Sequence, residues 1–569
     1  MKPSLFSFLA VLVLTSATHS RALQAETPAS TITSRANLVV VPVVVTGKHG
    51  NHMANLTKDD FRVEEEGKAQ PIARFEEISA NKTPMHRATG PVPNSYTNEV
   101  VGDPSSRVLV IIALDFLNTT WADEVFARRS LLKYLAESVK EDTLVSLVTI
   151  DQAGLHQIHD FTTDPAVLVA ALKSVTSGIA RLDTNEQQAQ TQGLEAQDRV
   201  TLAESGALSN LLNPDVIKLV AQPRIINAQA AASREAFAIR ITLEAMQHLA
   251  QAYAAVPGRK ALIWATGSFP FLMHDQTEMS YGGLSPDVYQ RTFQMLDDAN
   301  IAAYPVDIRG LSPGSDDYDA NRPRDMSRSI ATRAQTLRAS EMPNPESVRE
   351  LSLSTLRSFA DMTGGQAFYN ANDLQQSMAH ATDDSSSYYL LTYYLSKDSA
   401  KKSGWHKLKV TVAHEGVGEV RARKGFFVSK ATLDPENSRR NDEQVALDSP
   451  LDYTAMPMLL TWRDIQNGQK RNKANFILQV APEVIRIQEH KISLDFVGIA
   501  RNEKGEQVAQ FSQSLANNLS PDGERQIQTG GITYANAFQL PAGDYNVRVV
   551  VRDNFTGLMG SVLAPLRVQ

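Results

Sequence analysis

A run of seven apolar residues constrains the fold of this chain more than any other feature. The run extends from Val108 to Leu114 and ends on Asp115. An uninterrupted apolar segment rich in Val and Ile is typical of a strand buried on both faces, as in a parallel sheet. In open α/β sheets, ligands bind beyond the carboxyl ends of the strands. The sequence therefore places Asp115 where such a fold carries its functional groups.

Strand and helix patterns alternate on either side of this run, from residue 107 to about 385. Helical spacing recurs at 123–140, 233–255, 287–299 and 352–363, and buried strands are predicted at 144–150, 260–265 and 301–307. This alternation predicts an α/β fold with a doubly wound, mostly parallel sheet. The segment at about 181–232 is rich in Gln, Ala and Asn, which indicates an insertion.

Two groups of short strands flank the alternating region. Residues 37–80 hold about four strands and residues 387–428 hold three. Each group is too small to bury its own core, whereas seven strands complete a small sandwich. We therefore predict that the two groups pair, with the domain at 107–385 inserted between them. Residues 81–106 and 429–449 are predicted to be linkers, and 450–569 a second β-sandwich domain.

The N-terminus is typical of a secretory signal peptide over residues 1–25. Lys2 precedes an apolar stretch at 5–14, and Ala22 and Ala25 offer small side chains for cleavage. The stretch is shorter than the ~20 residues that span a bilayer. We expect a secreted, periplasmic or cell-envelope protein with no transmembrane span after signal cleavage. An uncleaved anchor is the alternative.

Composition and motifs exclude several functional classes. The net charge of −7 over 569 residues argues against a nucleic-acid binder. The absence of cysteine excludes disulfide scaffolds, thiol catalysis and Cys-based zinc sites. The sequence contains no serine nucleophile elbow, HExxH or P-loop motif. We therefore predict a protein that is not an enzyme and has no catalytic residues.

Several stretches resemble the von Willebrand factor type A domain and, more narrowly, the related secreted proteins common in Acidobacteria. They are LVVVPVVVTGKHGNHMANLTKDDFRVEEEGKAQPI at 38–72, ALDFLNTT at 113–120, PGRKALIWATGSFP at 257–270, TGGQAFYNANDL at 363–374 and YYLLTYYL at 388–395. The resemblance implies a type A, Rossmann-like sheet with additional β-sandwich domains.

The resemblance also implies a metal-ion-dependent adhesion site that begins Asp-x-Ser-x-Ser. Asp115 matches the Asp and Thr119 the second Ser, but Leu117 replaces the first Ser and no carboxylate lies beside Gly267. One interpretation is a degenerate site that binds Mg²⁺ or another divalent cation weakly through Asp115 and Thr119. The other is that Asp115 accepts hydrogen bonds from the following loop and Thr119 begins or caps the next helix.

These observations together predict an exported type A-like binding module. Its partner is a protein or cell-envelope ligand, and the loops at the end of the sheet form the contact surface. Besides the two metal-site residues, the candidate ligand-contacting residues are Asn118, Thr266 and Ser268. A structural or assembly protein of the cell envelope is the alternative, and a hydrolase with an unrecognised site is a third possibility.

Overall fold

The structure is a computed structural model. It describes residues 38–79, 86–87, 93–101, 108–119, 121–139, 143–175, 234, 236–256, 258–267, 269, 286–309, 345–369, 373–428, 436–449, 451–466, 468 and 471–569. The predicted signal peptide, the predicted insertion at 181–232 and Ser268 lie outside the described residues.

Antiparallel pairing dominates the fold, and the fold class predicted from the sequence is wrong. The described residues form six sheets, of which one is mixed and the others are antiparallel. Strands account for 46% and helices for 30% of the structure. The molecule is therefore β-rich and not a doubly wound α/β protein of the type A kind. The prediction failed because strand–helix alternation extends only through the middle of the chain, and most strands lie outside it.

Twenty-three strands are described. In chain order they are β1 Leu38–Gly47, β2 Phe61–Glu65, β3 Lys68–Gln70, β4 Arg74–Ser79, β5 His86–Arg87, β6 Ser95–Thr97, β7 Val100–Val101, β8 Val108–Asp115, β9 Thr143–Asp151, β10 Gly154–Thr162, β11 Lys260–Thr266, β12 Ile301–Asp307, β13 Ser387–Tyr394, β14 Gly404–Val412, β15 Val417–Ala422, β16 Gly425–Val428, β17 Met458–Gln466, β18 Asn472–Val480, β19 Lys491–Asn502, β20 Gln507–Asn518, β21 Ile532–Leu540, β22 Gly543–Asp553 and β23 Met559–Val568.

Nine α-helices are described between and beside these strands. They are α1 Trp121–Glu137, α2 Pro165–Ser174, α3 at 236–253, α4 Pro286–Asp298, α5 Pro345–Thr363, α6 Leu374–Ser386, α7 Lys397–Lys401, α8 Glu436–Asp448 and α9 Pro521–Gly530.

The first body is a sandwich built from two distant parts of the chain. Its sheets have the strand orders β15-β1-β13-β4 and β16-β14-β2-β3. Val43 of β1 lies opposite both Ala422 of β15 and Tyr389 of β13. The two sheets share one apolar core. The strand groups at 37–80 and 387–428 therefore pair with each other, and the chain between them leaves and re-enters the same body.

The second body contains the mixed sheet, which has the strand order β10-β9-β8-β11-β12. The last four strands are parallel, and β10 is an antiparallel edge strand. Strand β8 lies at the centre and is buried along its whole length. Separate apolar cores cover the two faces of the sheet. The carboxyl ends of β8, β11 and β12 meet at one edge.

The C-terminal body is a pair of four-stranded sheets around a shared core, with the orders β21-β18-β17-β6 and β20-β19-β22-β23. Two predicted linkers turn out to be part of the structure. The segment at 81–106 supplies β6, which pairs with β17. The segment at 429–449 contains α8, whose Ala446 and Leu447 are buried in a core shared with the second body.

Candidate functional site at the carboxyl end of the mixed sheet

Asp115 ends the central strand and is 1% exposed. The backbone N–H of Asn118 donates to its Oδ1 at 3.1 Å. Three side-chain donors converge on Oδ2: Nδ2 of Asn118 at 2.8 Å, Nε1 of Trp264 at 3.0 Å and Oγ1 of Thr266 at 3.0 Å. The carboxylate is therefore surrounded by donors from its own loop and from the neighbouring strand β11.

A second set of hydrogen bonds joins the loop after β8 to its surroundings. The hydroxyl of Thr119 donates to the backbone carbonyl of Asp115 and accepts from the backbone N–H of Gly267 at 3.1 Å. Nδ2 of Asn118 also donates to Oγ1 of Thr242 on α3 at 2.8 Å. A side chain at Gly267 would meet the backbone of Asn118 and Thr119, so only glycine allows this approach.

Burial raises the pKa of the Asp115 carboxyl above its ordinary value, because the charged form loses its hydration. The hydrogen bonds from Asn118, Trp264 and Thr266 act in the opposite direction and favour the carboxylate. The four donors thus offset part of the cost of placing an acid in the interior.

The residues present do not fit a divalent metal. Mg²⁺ requires near-octahedral oxygen ligands. Both oxygens of Asp115 already accept hydrogen bonds, the hydroxyl of Thr119 is bonded on both sides, and Leu117 offers no oxygen. The cavity beside Asp115 has a volume of about 10 Å³, roughly the space of one water molecule. No group of three or more acidic or histidine side chains suited to a metal occurs among the described residues.

The predicted ligand-contacting residues differ in their accessibility. Asn118 is half-buried, as is its neighbour Leu117. Thr266 is fully buried, and its hydroxyl faces Asp115. Ser268 lies outside the described residues. Among the described residues of this edge, the turn at 117–119 and Arg309 are therefore partly accessible.

Sequence reasoning missed three members of this site. Trp264 donates a hydrogen bond to Asp115, 149 residues away in sequence, and Thr242 accepts one from Asn118, 124 residues away. Asp307 ends β12 with both carboxylate oxygens bonded to Arg309, at 2.8 Å from Nε and 2.9 Å from Nη2. Both β8 and β12 end on an Asp, and this shared feature of the sequence could have identified Asp307.

Other acidic and histidine candidates do not assemble into a site. His156 lies 3.0 Å from Asp151, and Nδ1 of His159 lies 2.6 Å from the backbone carbonyl of Asp160. The two histidines thus have separate partners. Asp297 of the sequence pair 297–298 forms an ion pair with Arg423 at 2.8 Å.

No protein-family model matches the chain, and no curated protein matches it. Among solved structures, a β-glucuronidase from Bacteroides uniformis is similar over 32% of this chain and 18% of the glucuronidase. The identity is 10% and the TM-score is 0.13. A similarity this weak carries no argument about fold or activity.

None of the described helices is both long enough and apolar enough to cross a bilayer.

Proposed function

We propose that this chain is an exported binding protein without enzymatic activity. It contacts a protein or cell-envelope ligand through the loops at the carboxyl end of the mixed sheet. The observation that carries the proposal is the joining of three loops into one surface. The backbone N–H of Gly267 donates to Thr119, and that of Ile308 donates to the carbonyl of Thr266 at 3.2 Å.

This surface needs no metal to be rigid. Asp115 accepts the hydrogen bonds from Asn118 and Thr119 that hold the turn after β8, and the two carboxylate oxygens of Asp307 accept from Nε and Nη2 of Arg309. A surface that is already ordered loses little conformational entropy when a partner binds. Half-buried Leu117 and Arg309 supply an apolar contact and a fixed donor, and arginine is enriched at protein interfaces.

The test compares two Leu→Arg variants in a retention assay on the cell-envelope fraction of the source organism. Leu117→Arg places a charge on the proposed surface, whereas Leu563→Arg changes a residue that is 40% exposed on the remote strand β23. We expect wild type and Leu563→Arg to retain the same component, and Leu117→Arg to retain at least tenfold less. Equal retention by both variants would contradict the proposal, provided that both unfold at the wild-type urea concentration.

A structural or assembly role in the envelope is the second candidate, and buried ion pairs between the bodies favour it. Arg423 joins the first sandwich to Asp297 of α4. Asp442 of α8 pairs with Arg552 of β22 at 2.9 Å and with Arg291 of α4 at 3.2 Å, which joins the C-terminal body to the second body. Such contacts suit a chain that acts as one rigid piece. A wild-type protein that retains no component of the envelope fraction would favour this alternative.

A further inference from the structure

A long edge strand of the C-terminal body has a free side. Strand β20 ends the sheet β20-β19-β22-β23, and among the described strands it pairs with β19 alone. From Ala509 to Asn518 this pairing continues through ten consecutive positions without a bulge. The N–H and C=O groups of alternate residues therefore point away from β19, along a twelve-residue strand about 40 Å long.

The edge strands elsewhere in the molecule carry features that oppose the addition of another strand. On the other side of the same sandwich, β23 contains Pro565, which has no N–H, and the exposed Arg567, and β6 has three residues. Strand β10 of the mixed sheet has two irregularities in its pairing. Strand β4 of the first sandwich carries three charged residues within Arg74–Ser79. Proline, charge, bulges and short length are the usual means by which proteins block sheet edges.

Strand β20 has no comparable protection along its regular part. Its sequence, QVAQFSQSLANN, contains no charged residue, no proline and no glycine. The exposed side chains of its outer face are small or uncharged: Gln510, Ser512, Ser514 and Ala516. The neighbouring edge strand β21, ITYANAFQL, likewise has no charge and no proline. This side of the sandwich therefore differs from the protected side in sequence as well as in length.

Two apolar side chains on the inner face of β20 are incompletely covered. Phe511 and Leu515 pack against the core of the C-terminal body but are only half-buried. The ring of Phe511 lies over Gly498 of β19, and its centroid is 5.2 Å from that of Phe538 on β21. The ring is thus held in place, and a strand added beside β20 would cover apolar surface that is now in water.

We propose that β20 pairs antiparallel with β20 of a second copy of this chain, around a twofold axis at Gln513. In this register, Phe511 of each copy lies opposite Leu515 of the other, and Ser512 lies opposite Ser514. The incompletely covered apolar side chains of the two copies therefore meet, and the two four-stranded sheets become one sheet of eight strands.

Charge and hydrogen bonding favour a second copy over a different protein. A charged residue near a twofold axis would meet its own copy, and β20 has none. A foreign strand is selected by side-chain pockets or complementary charges, which the outer face of β20 does not offer. Oε1 of Gln513 accepts from the hydroxyl of Tyr534 at 2.9 Å, while its Nε2 donates to no described residue. Two Gln513 amides at the axis can therefore bond each other reciprocally.

Sedimentation equilibrium of the full chain measures this self-association, which is independent of the function proposed for the Asp115 loops. We expect the wild type to form dimers at micromolar concentration. Ser512→Lys places a charge beside the axis and should raise the dimer dissociation constant at least tenfold. Ser79→Lys is the matched control, because Ser79 is an exposed residue on β4 of the first sandwich. Far-ultraviolet circular dichroism should show the same fold for both variants, since both serine side chains are exposed.

A disulfide experiment tests the register, because the chain contains no cysteine. Opposite residues of an antiparallel pair have Cα atoms about 4.5–5.5 Å apart, within the range that a disulfide spans. Gln513→Cys should therefore form a covalent dimer with copper phenanthroline as oxidant, seen by non-reducing gel electrophoresis. Asn517→Cys, four residues from the axis, separates the two thiols by about 27 Å and should give no covalent dimer.

Three results would overturn the proposal. The first is a wild type that stays monomeric throughout the micromolar range, even if an extended peptide binds to β20. The second is an equal dissociation constant for Ser512→Lys and the wild type. The third is equal cross-linking of Gln513→Cys and Asn517→Cys, which the twofold register does not allow.

Discussion

Asp115 illustrates how a carboxylate at the end of a central strand can serve structure alone. Its oxygens accept four hydrogen bonds, from Asn118, Trp264 and Thr266. A buried acid is stable only where such donors offset its lost hydration. These hydrogen bonds hold the loop in place, and because they use both carboxylate oxygens, Asp115 has no oxygen left to bind a metal.

Replacement of Asp115 by alanine should therefore destabilise the protein whether or not metal is present. The buried side chains of Trp264 and Thr266 and the half-buried side chain of Asn118 each lose an acceptor. We expect the free energy of unfolding to fall by about 3 kcal/mol. Urea denaturation with and without millimolar Mg²⁺ measures this. The control, Asp59→Ala, changes an exposed carboxylate and should have almost no effect. A wild-type stabilisation by Mg²⁺ that disappears in Asp115→Ala would contradict the expectation.

At the scale of the element, the end of helix α5 shows why two adjacent glycines occur there. Gly364 has a φ of +77°, the left-handed conformation that ends many helices. The backbone N–H of Gly365 then donates to the carbonyl of Ala360 at 2.9 Å, as in a Schellman motif. Both glycines therefore belong to the end of α5, Gly364 through its conformation and Gly365 through its hydrogen bond.

Gly365→Ala should be strongly destabilising for a reason that the sequence does not reveal. A Cβ at this position would collide with the backbone carbonyl of Ala303 on β12. We expect a loss of about 3 kcal/mol, in the range of overpacked core positions. Gly530→Ala is the matched control, because a Cβ there meets nothing within 4 Å. Thermal unfolding of the two variants measures the difference, and equal melting temperatures would show the collision to be relieved at little cost.

Strand β6 depends on one amide side chain. Nδ2 of Asn98, 2% exposed, donates to the carbonyls of Tyr453 at 2.6 Å and Met456 at 2.9 Å. Its Oδ1 accepts from the backbone N–H of Met458 at 2.8 Å. This residue therefore fastens the segment at 93–101 to the start of the C-terminal body.

Asn98→Ala removes the side-chain partner of three backbone groups, of which the carbonyl of Tyr453 keeps the N–H of Ser561. We expect the variant to cost about 3 kcal/mol of unfolding free energy. The loss should appear as a lower urea midpoint. Asn517, whose side chain is exposed on the edge strand β20, provides the control: Asn517→Ala should leave the midpoint unchanged. Equal midpoints for the two variants would mean that other contacts hold β6.

At the scale of the whole molecule, buried charges join the bodies. Asp297 of α4 and Arg423, which follows β15, are each less than a tenth exposed and pair at 2.8 Å. Burial raises the pKa of Asp297 from 3.8 to about 7, and the positive charge of Arg423 counteracts only part of this rise. The folded chain therefore holds the proton more tightly than the unfolded chain does.

It follows that the contribution of Asp297 to stability is fully present below about pH 4 and is lost as the pH rises through about 7. Asp297→Asn cannot lose a proton, so its stability relative to wild type should improve by about 3 kcal/mol between pH 4.5 and pH 8. Asp361→Asn is the control, because Asp361 pairs with Lys424 at the surface, where solvent screens the charges. Urea denaturation at the two pH values measures both, and parallel pH profiles for Asp297→Asn and wild type would refute the prediction.

Local pattern predicted much of the fold but not its class. The helices at 121–137, 236–253 and 286–298 lie close to their predicted positions, because the spacing of apolar residues reflects one face of each helix. The predicted linker at 429–449 instead contains α8. This helix was missed because its sequence is mostly charged and polar, and it contributes few residues to the core. The dominance of antiparallel sheets was also missed, since a strand's own sequence does not reveal its neighbours.

The sequence left two interpretations of Asp115, a weak metal site and an acceptor of hydrogen bonds from the following loop, and the structure contains the hydrogen bond from the backbone N–H of Asn118 that the second one requires. The sequence by itself determined that Val108–Leu114 is a buried strand and that a polar turn follows Asp115, since both depend on residues adjacent in the chain. Only the tertiary structure decided that Trp264 and Thr266 would donate hydrogen bonds to Asp115 and that Thr242 would accept one from Asn118. These residues are more than 120 positions away in the chain, and the pairing of β8 with β11 and the packing of α3 bring them to the turn. The sequence does not show whether the oxygens of a carboxylate accept hydrogen bonds, because the donors are supplied by residues that only the fold brings near.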